Sequence, residues 1–217
     1  MNNRRTGLEA LSAHLPLVAI LRGLRADMAA ATGAALVEAG ITLIEVPLNR
    51  EGAADAIHAL ARACGGKAVV GAGTVLDVPS LRAAADAGAQ LIVSPHFDVR
   101  VVEAALQRGL LPMPGVLTPT EAFAAIGAGA THLKLFPADA MSPVSLRAMR
   151  AVIPPGMARL YPVGGIVAGN MGAWLGAGAD GFGLGSALFK PDWTVAQIAA
   201  AAAGLVSAYK AARGKPT

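Results

Sequence analysis

The stretch GAGATHLKLFP, residues 127 to 137, shows the pattern on which the whole chain is built. A helix-like run rich in alanine ends at Gly129, a short apolar strand follows almost at once, and Pro137 ends the strand. The glycines at 88, 109 and 129 are about 20 residues apart, which is the period of consecutive βα units. The phrase recurs as EAGITLIEVP from Glu38, DAGAQLIVSP from Asp86, QRGLLPMPG from Gln107 and GAGADGFGLG from Gly176.

Short apolar runs at this spacing predict eight strands, with helices such as 27–40 between them and a longer last helix over 195–213. Eight parallel strands with helical crossovers predict one α/β domain over residues 1–217, a compact (β/α)8 TIM barrel. A short helix at about 6–14 is expected before the first strand. A doubly wound open sheet is the alternative, because periodicity alone does not close a barrel. The predicted strands are 17–23, 43–48, 68–75, 91–95, 111–115, 132–136, 159–165 and 181–186.

The composition indicates a cytoplasmic enzyme. Hydrophobic residues make up 54% of the chain and charged residues 15%, below the roughly 25% typical of soluble domains. The apolar stretches are interrupted before the ~18 residues that a membrane span needs, and the first residues lack the apolar run of a signal peptide. The single cysteine, Cys64, fits a reducing compartment and is expected to be inert.

The net charge of +4 and the pI of about 9.6 raise the question of an acidic partner. Lysine and arginine are scattered singly, without a basic run or interleaved aromatic residues, so no nucleic-acid groove is expected. The charge favours a small anionic substrate.

Three charged residues stand in or at the end of predicted strands, where charge is otherwise nearly absent: Arg22, Glu45 and Lys134. A lysine in apolar surroundings releases its proton more readily, because desolvation disfavours the charged form. Its neutral amine can attack a ketone and form a Schiff base, an electron sink for breaking a carbon–carbon bond. Lys134 is therefore a candidate nucleophile; the alternative is a buried ion pair with Glu45 that only fixes the fold.

Glu45 is the carboxylate placed to serve such a nucleophile. Imine chemistry requires proton transfers, and Glu45 stands at the end of the second predicted strand, on the expected functional face. We expect a general acid/base role if Lys134 is the nucleophile. A salt bridge to Arg22 or Lys134 is the alternative interpretation.

Glycine-rich turns follow the seventh and eighth predicted strands, in PVGGIVAGN (162–170) and GLGSALF (183–189). Backbone N–H groups in such turns form a phosphate cradle, and two of them on adjacent strands are more specific than one. The histidines at 14, 58, 96 and 132 do not pair at metal-ligand spacing, and GAGTVL (71–76) departs from a dinucleotide fingerprint. We expect a phosphate site, and neither a metal nor a cofactor.

Along nearly its whole length the chain resembles the class I aldolases that cleave 2-keto-3-deoxy-6-phospho sugar acids. The resemblance implies that Lys134 forms the Schiff base, that Glu45 is the acid/base, that Thr74 holds the pyruvyl carboxylate and that Arg22 lies at the same site. It also implies a homotrimer. The matching motifs, in the order of the family, are VAILRG, IEVPLN, VGAGTV, LIVSPH, LKLFPA, PVGGI and GLGSALF.

The same resemblance implies a phosphate site at Gly164, Gly165, Gly185 and Ser186. Substrate-binding positions are expected at the strand ends, with the substrate a phosphorylated keto-deoxy sugar acid. Besides Arg22 and Thr74 they are Asn49, Pro95, Phe136 and Val163.

Two positions depart from the gluconate branch of the family and resemble the galactonate branch. The chain reads EVPLN with Asn49, where the gluconate branch usually reads EVTLR, and Val163 replaces a threonine before the paired glycines. We expect cleavage of 2-dehydro-3-deoxy-6-phosphogalactonate to pyruvate and D-glyceraldehyde 3-phosphate. The alternatives are 2-dehydro-3-deoxy-6-phosphogluconate / 4-hydroxy-2-oxoglutarate aldolase, a phosphate-binding barrel isomerase or transferase, and a non-catalytic binding module.

Overall fold

The computed structural model describes residues 15–214, so the helix predicted at 6–14 lies outside the described residues. Each predicted strand segment contains a strand, and the segment 111–115 contributes to two. The strands are β1 (Leu17–Ile20), β2 (Leu43–Pro47), β3 (Val69–Gly73), β4 (Leu91–Val93), β5 (Leu111–Met113), β6 (Gly115–Val116), β7 (His132–Leu135), β8 (Arg159–Pro162) and β9 (Phe182–Leu184).

Helices separate most of these strands, and a 3-10 turn, Ala138–Ala140, follows β7. The predicted last helix over 195–213 is confirmed. The helices are α1 (Ala26–Ala39), α2 (Ala53–Cys64), α3 (Val78–Asp86), α4 (Val99–Gln107), α5 (Pro119–Gly127), α6 (Pro143–Val152), α7 (Met171–Gly176) and α8 (Val195–Arg213).

The recurring glycines end their helices by one shared geometry. At Gly129 φ is +98°, its N–H donates to the carbonyl of Ile126 at 2.9 Å, and the Ala130 N–H donates to that of Ala125 at 3.0 Å. This pattern is a Schellman motif, which favours glycine because a Cβ is strained at positive φ. The same pair of bonds recurs at the other recurring glycines, which are 40, 88, 109 and 178.

The prediction of a closed eight-stranded barrel is wrong. The hydrogen-bonded strands form a curled six-stranded parallel sheet in the order β5-β4-β3-β2-β1-β9 and a separate three-stranded parallel sheet, β6-β7-β8. The change from one sheet to the other occurs at Pro114, between β5 and β6. Pro114 has no N–H to donate to β4, and its carbonyl accepts from the Lys134 N–H in β7 at 2.9 Å. Between β8 and β9 the described residues form one isolated bridge, Val163 to Gly183.

The strands are buried on both faces. Alternate residues such as Ala19, Ile44 and Val70 pack with the helices in the large hydrophobic cluster. The other residues point to the inner side of the curled sheet, where they form a second, smaller cluster. Its buried members are Val18, Leu43, Leu91, Val93, Met113 and Tyr161.

Helix α8, Val195–Arg213, is the one helix in the described part of the chain that is long and apolar enough to cross a membrane by length and composition. This is weak evidence, because core helices of soluble proteins pass the same test. Its buried residues, which include Ile198, Leu205 and Tyr209, pack in the large cluster, and the helix contacts α1 and α7.

Candidate functional site

Lys134 and Glu45 both lie on the inner side of the strands. Lys134 in β7 pairs in register with Tyr161, and parallel neighbours in register place their side chains on the same face. Glu45 in β2 stands two residues after Leu43, which belongs to the inner cluster. Lys134 is 7% exposed and Glu45 is 2% exposed, so both groups are removed from water.

Burial dominates the electrostatics of Glu45. It raises the pKa of the carboxyl from 4.5 to about 7, against the charges of Lys134 and Arg22, which lower it. The Oε2 atom is buried without a hydrogen-bond partner among the described residues. A carboxyl group with a pKa near 7 can both donate and accept a proton at neutral pH.

Burial is also the largest influence on Lys134, and it lowers the pKa of the ammonium group. The charge of Arg22 lowers this pKa further, and that of Glu45 raises it. The Nζ atom lies 4.4 Å from the centroid of the Phe136 ring. Among residues 15–214 the ion pairs are those of Arg25, Arg100 and Arg150, so Lys134 and Glu45 influence each other without forming the structural ion pair that was the alternative.

Gly73, the last residue of β3, makes room for the carboxylate of Glu45. A Cβ at position 73 would lie 2.0 Å from Oε2 of Glu45, far inside van der Waals contact. The next residue, Thr74, has φ +54°, in the left-handed region that β-branched residues avoid. The end of β3 is thus shaped around Glu45, with backbone strain at the neighbouring Thr74.

The remaining predicted substrate residues differ in burial. Val163 is 7% exposed and packs over Gly183, where a Cβ would lie 2.6 Å from Cγ2 of Val163. Pro95 is half-buried, and its backbone abuts Gly115. Arg22 and Asn49 are exposed on the turns after β1 and β2. Only Arg22 of these two is linked to the buried pair, through its charge.

The turn after β8 contains the first predicted phosphate-binding glycines. Gly164 has φ +117° and Gly165 has φ +63°, and both are accessible from solvent. Asn170 holds the turn: its Nδ2 donates to the Gly165 carbonyl at 2.8 Å and its Oδ1 accepts from the Val167 N–H at 3.0 Å. The structure therefore fixes the glycine pair from within its own loop.

The second predicted phosphate turn follows β9. The carbonyl of Gly185 accepts from the N–H groups of Leu188 and Phe189, at 2.8 and 3.0 Å, and Ser186 is exposed. The Val163–Gly183 bridge places this turn and that of Gly164 and Gly165 after neighbouring strands.

His132 occupies the inner side beneath Lys134. Its ring lies 5.8 Å from that of Tyr161, and burial lowers its pKa to about 4, so it is neutral at physiological pH. In the described part of the chain, no group of three or more His, Cys, Asp or Glu side chains is placed to hold a metal ion.

Sequence reasoning missed three features of this site. Two of them are the space that Gly73 leaves for Glu45 and the hydrogen bond from Asn170 to Gly165. No sequence motif predicts that these residues lie close together. Asp139 lies with its carboxylate against Gly164 and Gly165, although its own sequence, FPADA, is that of an ordinary turn. Its position after the strand of Lys134 was the signal available.

Comparison with known sequences gives consistent results. Residues 8–201 match the family described as Aldolase: KDPG and KHG aldolase. The chain is 42% identical over 198 residues to a 2-dehydro-3-deoxy-6-phosphogalactonate aldolase of Escherichia coli (strain K12), covering 91% of this chain and 96% of that protein. A KHG/KDPG aldolase of the same strain is 34% identical over 171 residues, 78% of this chain and 79% of its own.

Comparison with solved structures agrees. A structure described as native KDPGal has 41% identity and a TM-score of 0.89, covering 93% of this chain and 97% of its own. A cube-shaped protein cage designed by fusing symmetric oligomeric domains contains a chain 42% identical to this one, with a TM-score of 0.88. The match covers 92% of this chain and 73% of that one.

Proposed function

The chain belongs to the KDPG and KHG aldolase family and is a carbon–carbon lyase, and from this premise we propose a class I aldolase that cleaves 2-dehydro-3-deoxy-6-phosphogalactonate. The products are pyruvate and D-glyceraldehyde 3-phosphate. The observation that carries the mechanism is the pair of buried groups, Lys134 and Glu45, whose pKa values burial moves toward neutrality. Such a pair supplies a nucleophile and an acid/base at one site.

Lys134 begins the reaction. Its neutral amine attacks the C2 ketone, and the resulting carbinolamine loses water to give a protonated imine. The imine draws electrons from the C3–C4 bond, which breaks as the C4 hydroxyl loses its proton. Glyceraldehyde 3-phosphate leaves, and an enamine of pyruvate remains on the lysine.

Glu45 carries the protons. As a carboxylate it accepts the proton of the C4 hydroxyl, and as a carboxylic acid it returns that proton to C3 of the enamine. Hydrolysis of the imine then releases pyruvate and regenerates the free Lys134. The unpartnered Oε2 of Glu45 supports this role, because no protein hydrogen bond has to break before a proton moves.

The other predicted residues would hold the substrate between these groups and the glycine turns. In this proposal Thr74 and Arg22 bind the pyruvyl carboxylate end, and Pro95, Phe136, Asn49 and Val163 line the chain of the substrate. The phosphate binds at Gly164, Gly165, Gly185 and Ser186. The positive φ angles and solvent access of the first two support a site built from backbone N–H groups.

The galactonate epimer is favoured over the gluconate epimer by two observations. The relative named for the galactonate compound is 42% identical, against 34% for the KHG/KDPG aldolase. Val163 also presents methyl groups where the gluconate branch has a hydroxyl, so it cannot hydrogen-bond a substrate oxygen. We propose in addition a cytoplasmic, single-domain enzyme that uses no cofactor, metal, nucleic acid or membrane.

Reductive trapping tests the mechanism. Borohydride added with pyruvate should inactivate the enzyme irreversibly, because it reduces the imine on the desolvated amine of Lys134 to a stable adduct. Peptide mapping should place the adduct at residue 134. An adduct at Lys67 or Lys190, or intact activity after treatment, rejects the assignment.

Turnover of the two epimeric phosphosugar acids, measured side by side, tests the substrate. We expect a higher kcat/KM for the galactonate compound. A preference for the gluconate compound would overturn the branch assignment and leave the aldolase mechanism standing.

We also propose a homotrimer, with an apolar groove between α5 and α6 as the surface that meets a second copy. The groove encloses about 600 Å³, and its exposed side chains include Phe123, 44% exposed, and Val152, 49% exposed. Apolar patches of this kind mark contact surfaces. A 42% identical chain in a cage fused from symmetric oligomeric domains supports a second copy as the occupant. The groove is lined by Leu117, Pro119, Phe123, Met141, Ser145, Ala148, Met149 and Val152.

A further inference from the structure

Asp139 lies on the 3-10 turn that follows β7, and this turn is held close to the end of β8. The Ala138 N–H donates to the Val163 carbonyl at 2.8 Å, and the Met141 N–H donates to the Ala138 carbonyl at 3.0 Å. These bonds hold the backbone on both sides of Asp139, so rotation of its side chain alone would move the carboxylate away from the glycine pair.

The carboxylate of Asp139 covers the glycine pair. A Cβ at Gly165 would lie 1.9 Å from its Oδ1, and a Cβ at Gly164 would lie 3.0 Å from its Oδ2. Within residues 15–214 the ion-paired acids are Asp27, Asp98 and Asp180, and the Asp139 side chain makes no hydrogen bond or ion pair. An acid that no cation neutralises therefore lies where the phosphate cradle is proposed.

A carboxylate and a phosphate exclude each other from such a position in two ways. They need the same space beside the glycine pair, and two negative charges a few ångströms apart repel each other. We propose that Asp139 is a specificity residue, a competitor built into the chain that a phosphate must displace from Gly164 and Gly165. This inference rests on the proposed phosphate site.

The competition discriminates among anions. A phosphosugar acid is also held at its other end, through the imine on Lys134, so it can displace the carboxylate and remain bound. Free inorganic phosphate has no such second attachment. The product glyceraldehyde 3-phosphate has lost its bond to the pyruvyl carbons and is repelled in the same way. Asp139 thus weakens binding of free phosphate and favours release of the phosphorylated product.

The test is the variant Asp139→Asn, which keeps the shape of the side chain and removes its charge. Calorimetry with inorganic phosphate should show at least about fivefold tighter binding than wild type at low salt, the factor for one unit-charge repulsion of ~1 kcal/mol at contact range in water. The gain should shrink as salt is added, because salt screens exposed charges. The rate of pyruvate-dependent borohydride inactivation should not change, since pyruvate carries no phosphate.

The matched control is Asp86→Asn, at the C-terminal end of α3, which removes the same charge from an exposed position elsewhere. It should bind phosphate as wild type does. Unchanged or weaker phosphate binding by Asp139→Asn, or an equal gain in the control, would overturn the proposal, as would failure of both proteins to bind phosphate. Wild-type cleavage of the phosphosugar acid is measured separately, so that failure of the proposed function is recognised on its own.

Discussion

At the scale of single residues, the proposed chemistry depends on a carboxyl group, that of Glu45, whose pKa burial raises to about 7. Glu45→Gln keeps the shape of the side chain and removes its ability to carry a proton. We expect kcat to fall by about 10² to 10⁴, the usual contribution of general acid/base catalysis. The measurement is steady-state turnover, with circular dichroism to show that the fold is kept. Unchanged turnover would make Glu45 a structural residue.

Glu45 also makes stability depend on pH in a defined direction. Because its pKa rises from 4.5 to about 7 on folding, the folded state favours the protonated form. Stability from this group is complete below pH 4.5 and is lost as pH rises to about 7. At ~1.4 kcal/mol per pKa unit the difference is about 3 kcal/mol. In denaturant titrations, Glu45→Gln should therefore gain stability relative to wild type across this range; a constant difference would contradict the raised pKa.

Val163 is the residue at which the choice of epimer is tested. Val163→Thr adds a hydroxyl that can donate to a substrate oxygen, worth about 0.5 to 1.5 kcal/mol, or a few-fold to tenfold in rate. We expect kcat/KM for the gluconate epimer to improve by this factor. Some stability will be lost, because Val163 is buried against Gly183 and Val and Thr are not interchangeable in packed sites. Equal kcat/KM values for this epimer in variant and wild type would remove Val163 from the account of specificity.

At the scale of elements, the helix ends are set by backbone geometry, and two glycines with open space around them separate this from packing. Gly109→Ala places a Cβ at φ +70°, with no atom within 4 Å, and should cost about 1–2 kcal/mol of unfolding free energy. Gly127→Ala, inside α5 with no atom within 4 Å of the new Cβ, should gain about 0.4–1 kcal/mol. Denaturant titration of the two variants gives both values. Equal effects would show that the glycines are interchangeable turn residues.

The elements were predictable because their signals are local. Alanine-rich runs, capping glycines and short apolar strands repeat along the chain, so each strand and the last helix were expected close to where they lie. Lys134 and Glu45 stood out because charge is rare inside such strands. The cover that Asp139 gives the glycine pair was not predictable, because it joins residues more than 20 positions apart through the course of a turn.

At the scale of the whole molecule, local signals fail. The period of the βα units does not predict whether the sheet closes, because continuous hydrogen bonding between strands depends on single residues. Pro114 lacks the N–H that would continue one ladder, and the positive φ values of Gly164 and Gly165 end another after a single bridge. The strands were therefore predictable and their closure was not.

The proposed homotrimer is tested at the same scale. Phe123→Glu places a charge in the groove between α5 and α6, where burial against a second copy would leave it desolvated. Light scattering should show a particle of 21.7 kDa in place of three such chains. The control is Val99→Glu, which puts the same charge on an exposed valine of α4 and should leave the trimer intact. A trimer that survives Phe123→Glu, or that dissociates in the control, places the interface elsewhere.

The left-handed backbone of Thr74 has a consequence for the evolution of the enzyme in the laboratory. A β-branched residue at φ +54° costs of order 1–3 kcal/mol, and glycine at this position would avoid that cost. A library screened for heat resistance alone should therefore enrich glycine at position 74, and the enriched clones should bind pyruvate poorly. Selection that also demands growth on the sugar acid should restore threonine. The two selections should therefore favour different residues at position 74.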